Sequence, residues 1–430
     1  MAAFQSALMH QGFTALLVFA VLATGWVMVI QWRPELARRA WADRGRLPSE
    51  PAARRVLRLG FGVLWIVDGL LQAQPSLVAG LGSKVIVPAA AASPGWVRGL
   101  AGWAGAAWSA HPVQAGTAAV WIQVGLGIWM VSAARGRWSR LAGLAGAVWG
   151  LAIWACGEAF GGVFAPGLSV LTGAPGAALF YCAAGVLVAL PDRSWATAAL
   201  GRRLLAGLGT FLIAMAVLQA WPGRGFWRGT AYGGPGSVSA AVSRMAAAPQ
   251  PAPLVRLLNG FASLTAGHGF GVNALAVAAL AGIGLCLLSG RRALLGPAVA
   301  AAVAFCLADW VLVQDLGVLG GLGTDPNSMI PLLLVIGSGY VAATRTPAPR
   351  PAPEPAGTEP TREVSAPAAA VTPVRPIRSG TERLVRQRLV TDRLAAVVAS
   401  ASAQGIVAAW AGALVLVAAA SMALTQAGTR

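Results

Sequence analysis

The sequence predicts an all-α membrane protein, a polytopic transmembrane helix bundle of about ten helices in which a four-helix unit occurs twice, as tandem parallel repeats. Three observations predict it. The 430 residues are 57% hydrophobic and 11% charged, with a mean hydropathy of +0.67, against roughly 25% charged in a soluble domain. Apolar runs of about 20 residues, enough to cross ~30 Å of hydrocarbon as helix, recur between clusters of arginine. Landmarks of the first half reappear in the second half in the same order.

The ten runs fall at 12–32, 57–76, 115–134, 140–160, 174–191, 203–221, 269–289, 293–316, 328–344 and 404–425. They are continuous, without the alternation of polar and apolar residues that marks barrel strands, so helices are expected. The first run has no basic region before it and no small-residue cleavage site after it, and is read as a retained helix.

A net charge of +18 would suggest nucleic acid in a soluble protein, but here position outweighs the sum. Sorted by loop, 25 Lys and Arg fall on one side of the membrane and seven on the other. The rich side includes Arg54, Arg55 and Arg58 near the start of the second span, Arg135, Arg137 and Arg140, and nine arginines in the tail from 345 to 393. The positive-inside rule makes that side cytoplasmic and puts both termini outside a cell (inner or plasma) membrane. Basic loops beside anionic lipid account for the charge with the bilayer as partner and no nucleic acid.

The repeat is read from four landmarks. Leu71-Gln72-Ala73-Gln74-Pro75 matches Leu218-Gln219-Ala220-Trp221-Pro222, 147 residues on. The stretch 97–103 matches 255–261 at 158, Trp154 to Glu158 matches Trp310 to Gln314 at 156, and 173–176 matches 324–327 at 151. The expected organisation is then a transmembrane helix and basic loop (1–53), unit 1 (54–201), unit 2 (202–345), a Pro/Ala-rich disordered cytoplasmic linker (346–380), and a basic amphipathic segment with a last helix (381–430). An even number of crossings gives parallel units. Each has an outer amphipathic stretch, Trp96, Leu100, Trp103 and Ala107 or Leu254, Leu258, Phe261 and Leu264, expected at the membrane surface. The C-terminal amphipathic segment suits the inner leaflet, with docking of a membrane-protein partner as its second use.

Ionisable groups inside a span cost roughly 2.5 to 3.5 kcal/mol, so each is a functional candidate. Asp68 is expected near the middle of the second span, with Gln72 one turn on and within reach of its carboxyl. Such an acid could exchange a proton for a cation, or simply hold helices together. Met215 stands at the matching place in unit 2. Glu158, Asp309, Gln314 and Asp315 gather at the outer ends of the third helices, where with His10, His111 and His268 they could line one outward vestibule. The histidines are weak metal candidates, since none has a partner at ligand spacing. Interfacial capping or hydration is their ordinary role.

The Gly-rich stretches 161–176 and 317–329 lack the Lys-Ser/Thr of a phosphate loop. Asp325 with Pro326, and Thr172 or Gly173 before Pro175, are expected to cap the helices that follow. Cys156, Cys182, Cys286 and Cys306 read as buried small hydrophobes. No motif implies a cofactor, and no catalytic set of side chains emerges, which argues against an enzyme.

The openings of the two units, Arg55-Val56-Leu57-Arg58-Leu59-Gly60-Phe61-Gly62-Val63-Leu64-Trp65 and Arg202-Arg203-Leu204-Leu205-Ala206-Gly207-Leu208-Gly209-Thr210-Phe211-Leu212, each followed by three more helices, resemble the DoxX/DoxD class of four-helix membrane proteins. The resemblance covers 54–191 and 202–345 and implies a quinone-linked or other redox-associated accessory or assembly subunit. From the residues themselves the first expectation is transport or permeation of a small solute or cation, with Asp68 and Gln72 at mid-membrane and Glu158, Asp309, Gln314 and Asp315 as the outer approach. A scaffold is the third reading, if Asp68 is only interhelical glue.

Overall fold

The computed structural model describes residues 2–32, 50–227, 237–248, 250–318 and 323–344. The expected linker 346–380, the segment 381–430 and the span at 404–425 lie outside the described residues. Among the described residues the chain is helical, with no strand. Its main helices are α1 (Ala2–Trp32), α2 (Ala52–Gln72), α3 (Gly95–Ala110), α4 (Pro112–Ser132), α5 (Gly136–Ala152) and α6 (Ala177–Ala189). Then follow α7 (Ala198–Ala220), α8 (Val238–Ala246), α9 (Ala252–Gly267), α10 (Gly269–Ser289), α11 (Arg292–Leu312) and α12 (Met329–Ala343).

Five of these are long and apolar enough to cross a membrane: α4, α5 with its extension to Gly157, α7, α10 and α11. The chain is therefore a helical membrane protein. The expectation of ten spans is not met among the described residues, for local reasons. The apolar run at 57–76 contains Pro75, where the chain turns by 79° into Ser76–Ala89, and the pair counts as one bent span at most. The runs at 174–191 and 328–344 begin in loops, so α6 and α12 keep only 13 and 15 residues of helix. Hydropathy registers an apolar loop and an apolar helix alike.

The helices meet through glycine. A Cβ on Gly127 of α4 would lie 2.5 Å from the carbonyl oxygen of Gly62 in α2; Gly143 and Gly185 meet in the same way between α5 and α6, and Gly209 and Gly284 between α7 and α10. Lipid offers no hydrophobic drive between helices, so close backbone approach supplies the packing. Helix α12 packs on α7 and α11 and crosses to α2 and α6, where Ser338 donates to the Ala53 carbonyl at 3.0 Å. One apolar core runs through both halves, from Phe61 and Trp65 by way of Phe180 to Leu205, Leu332 and Val335.

The outer amphipathic stretches are helices α3 and α9. In α3 the expected aromatic stripe faces outward, Trp96 and Trp103 being exposed, while Val97 and Ala101 face in. Small residues allow the approach: a Cβ on Gly105 would sit 3.0 Å from the Gly82 carbonyl oxygen, leaving no room for tryptophan. In α9, Leu254 and Leu258 are buried as a packed face.

One end of the bundle is fastened by charge. Arg54 and Arg58, expected among the loop charges, are buried instead. Arg54 donates to Val188 O and Ser139 Oγ at 2.8 Å and to Ala134 O at 2.9 Å. Arg58 grips the buried Glu50 through bonds of 2.8 and 2.9 Å and reaches Val131 O at 2.7 Å. The last-turn carbonyls of Val131 in α4 and Val188 in α6, with Ala134 just past α4, thus find donors that their own helices cannot supply.

Candidate functional site

Helix α2 carries its buried face at Leu57, Phe61, Trp65 and Asp68, a helical stripe that puts the aromatic ring and the acid on one side. The helix stops at Gln72 because Gln74, before Pro75, is extended, as sterics before proline favour. Asp68 is therefore about 6 Å from the helix end at 1.5 Å per residue. The acid thus lies near the end of α2 opposite the arginines rather than at the middle of that helix. It makes no hydrogen bond to Gln72. Its carboxyl faces the Tyr181 hydroxyl from α6, yet neither Asp68 Oδ1 nor that hydroxyl closes a well-formed bond.

The two groups open on a cavity of about 270 Å³. Trp65, Asp68 and Gln72 of α2, Gln123 of α4 and Tyr181 of α6 form its walls. Helix α5 adds Trp149 and then widens into a π-helical turn, Ile153–Gly157, that brings Cys156 and Glu158 to the wall. Such turns recur at functional positions in helices. The segment after Pro75 folds over as a roof, with Leu81, Val85 and Ile86 facing in and Trp108 of α3 beside them. The Trp108 indole N–H donates to the Val78 carbonyl at 3.1 Å and fastens it.

Glu158 also caps α6, accepting from the Ala178 N–H at 3.1 Å. The expected caps Thr172 and Gly173 are displaced by this carboxylate from across the loop. Gly176 makes the reach possible: its φ of 100° suits glycine, and a Cβ there would collide with Glu158 Oε2.

Thr324 and Asp325, from the loop before α12, complete the wall. Asp325 does not cap α12, whose N-cap is Ser328. It closes the preceding turn instead, accepting from the Asn327 N–H and the Thr324 hydroxyl at 2.8 Å each. Burial holds its carboxyl above the ordinary range, and those two bonds offset part of the effect.

Trp65 Nε1, Asp68 Oδ1, Gln123 Oε1, Trp149 Nε1 and the Tyr181 hydroxyl are all buried without a partner, and all five residues line this cavity. An unmade buried hydrogen bond costs about 1–3 kcal/mol, and native folds hold few. They converge on the cavity from four helices. Among the described residues no Lys, Arg or His stands on the wall, while Asp68, Glu158 and Asp325 do.

The expected single vestibule divides. Asp68, Gln72 and Glu158 share the cavity; Asp309, Gln314 and Asp315 do not line it. Gln314 donates to Asp309 Oδ2 at 2.9 Å and to the Val170 carbonyl at 3.3 Å. Asp315 is buried nearby, with its carboxyl pushed up to about 6 by burial. The histidines stay apart. His10 and His268 are exposed, His111 sits between α3 and α4 with Nε2 buried and unpartnered, and no group of three metal-binding side chains forms among the described residues.

Sequence reasoning missed Trp65, Gln123, Trp149, Tyr181 and Asp325 as wall residues. Gln123 was findable, as an amide inside an apolar run; the aromatic residues were not, since tryptophan in a span reads equally as core or interface. Comparison with protein-family models, curated proteins and solved structures gives no match.

Proposed function

We propose that this chain is a transport or permeation protein for a small solute or cation and that the cavity beside Asp68 is its binding site. The observation that carries the reading is the convergence of five unpartnered buried polar atoms on one mostly apolar cavity. The facing of Asp68 and Tyr181 could serve as interhelical glue, but that role leaves the open Trp65, Gln123 and Trp149 groups unexplained. The cavity lies at the end away from Arg54 and Arg58, so the positive-inside rule turns its mouth to the outside of a cell membrane.

Tandem duplication belongs to the same proposal, and the packing supports it. Gly62 and Gly209 are 147 residues apart, the offset of Gln72 and Gln219, and each touches a glycine of the second long helix, Gly127 or Gly284, 157 apart. His111 and His268, also 157 apart, stand at the same helix junction. Helices α3 and α9 have 16 residues each, α4 and α10 have 21. Two parallel DoxX/DoxD-like units are the architecture this favours. They differ in use. In unit 2, Gln219 is fully engaged, accepting from Ser169 at 2.6 Å and donating to Asn273 at 2.7 Å, whereas unit 1 leaves its polar groups open.

Purified protein in proteoliposomes with a trapped pH dye tests the reading. Addition of sodium, potassium, ammonium or tetramethylammonium should release protons through the wild type for at least one cation, and Asp68→Asn should cut that rate at least tenfold. A signal equal to empty vesicles for every cation, or an undiminished one in the variant, would sink it. A second reading, a quinone-linked accessory subunit, is favoured by the open donors of Trp65 and Trp149, which could hold a quinone carbonyl. Quinone retained through mild detergent extraction, with no cation response, would select it.

A further inference from the structure

We infer that the ligand of this cavity is a small organic ammonium that also carries an oxygen acceptor, an inference that rests on reading the cavity as the binding site. The charge comes first. Carboxyls from three separate elements, Asp68 of α2, Glu158 after the π-helical turn and Asp325 before α12, face a space with no basic side chain among its described wall residues. A positive ligand supplies the counter-charge that the wall lacks, and release of one proton as the cation enters keeps the cavity's charge unchanged.

The remaining wall selects among cations. Calcium and magnesium prefer a shell of about six or more oxygens, whereas here the lining is mostly carbon, and no group of three metal-binding side chains forms among the described residues. Trp65, Trp108, Trp149 and Tyr181 offer four aromatic rings, the surroundings that attract alkylated ammonium groups through their ring faces. Tyr181 is held firm by edge contacts with Phe61 at 5.1 Å and Trp65 at 4.6 Å. A volume of about 270 Å³ accommodates several carbon atoms around the charge.

The unpartnered atoms specify the rest. Asp68 Oδ1 and Gln123 Oε1 are open acceptors, suited to the positive end, while Trp65 Nε1 and Trp149 Nε1 are open donors and the Tyr181 hydroxyl faces Asp68. An ammonium cannot accept a hydrogen bond, so a ligand satisfying both sets needs an oxygen as well. An amino alcohol has both.

Calorimetry on the full chain in lipid nanodiscs separates the contributions with three near-isosteric probes: choline, 3,3-dimethylbutan-1-ol without the charge, and propyltrimethylammonium without the oxygen. Choline should bind wild type at least tenfold tighter than dimethylbutanol and severalfold tighter than propyltrimethylammonium. Asp68→Asn should bring the first ratio near one. Gly99→Ala, off the cavity wall and with nothing within 4 Å of the added Cβ, serves as the control and should retain the charge preference, and Trp149→Leu should weaken choline about fivefold. A neutral probe that binds wild type as tightly as choline, or a charge preference that survives in Asp68→Asn, overturns the inference. Charge-selective binding without flux would remove the transport reading and leave the ligand class standing; Asp68-dependent flux without charge-selective binding would do the reverse.

Discussion

Glu158 joins two roles in one side chain. Its carboxylate answers the first free N–H groups of α6 and also forms part of the cavity wall, so the start of a helix is tied to the place where a ligand would sit. Gly176 leaves the space that allows it. Asp315 shows a different economy of burial. Its backbone has a φ of 56° and its Oδ1 is buried without a partner, while its carboxyl is raised to about 6. The neutral acid is the form favoured by the fold, so stabilisation present below about pH 4 is lost as pH rises through about 6. The melting temperature of the detergent-solubilised protein should therefore fall between pH 4 and 7, and fall less in Asp315→Asn. Parallel pH profiles for the two proteins would show that Asp315 contributes nothing to the slope.

Among the elements, α2 does most to shape the site. Its arginines anchor one end, its apolar stripe enters the core, and its termination before Pro75 swings the next segment over the cavity. The α2–α4 crossing depends on Gly62 and Gly127 touching through backbone. Gly127→Ile would drive the helices apart, at a cost of roughly 1–3 kcal/mol or more for overpacking. Gly99 of α3 is the matched control, since a Cβ there meets nothing within 4 Å. Resistance to denaturation in detergent should drop in Gly127→Ile and be kept or slightly raised in Gly99→Ala; equal behaviour would mean that the crossing tolerates separation.

At the scale of the whole molecule, the halves differ in chemistry yet close one site together. Helix α12 crosses to α2 and α6 and brings with it the loop that carries Asp325 to the wall. A residue some 257 positions from Asp68 in the chain thereby enters its cavity. Asp325→Asn should weaken cation binding severalfold while the Thr324 and Asn327 contacts keep the turn in place, as titration in nanodiscs would reveal. Unchanged affinity would confine the site to unit 1.

Composition and periodicity alone determined that this chain is helical and built for a membrane, because a long apolar run can satisfy its backbone in lipid only as helix. They also singled out Asp68 and Glu158, because an ionisable group in such a run is costly and stands out against its surroundings. The tertiary structure decided the rest. Which apolar residues were loop and which were helix turned on Pro75 and Gly176, whose effect is local geometry that hydropathy does not register. That Asp68 and Glu158 share a cavity while Asp309 and Gln314 bond each other came from helix packing, and the aromatic wall emerged because Trp65, Trp149 and Tyr181 lie on three helices whose meeting no periodicity records. Spacing along a chain fixes the face of a helix; only packing fixes what that face meets.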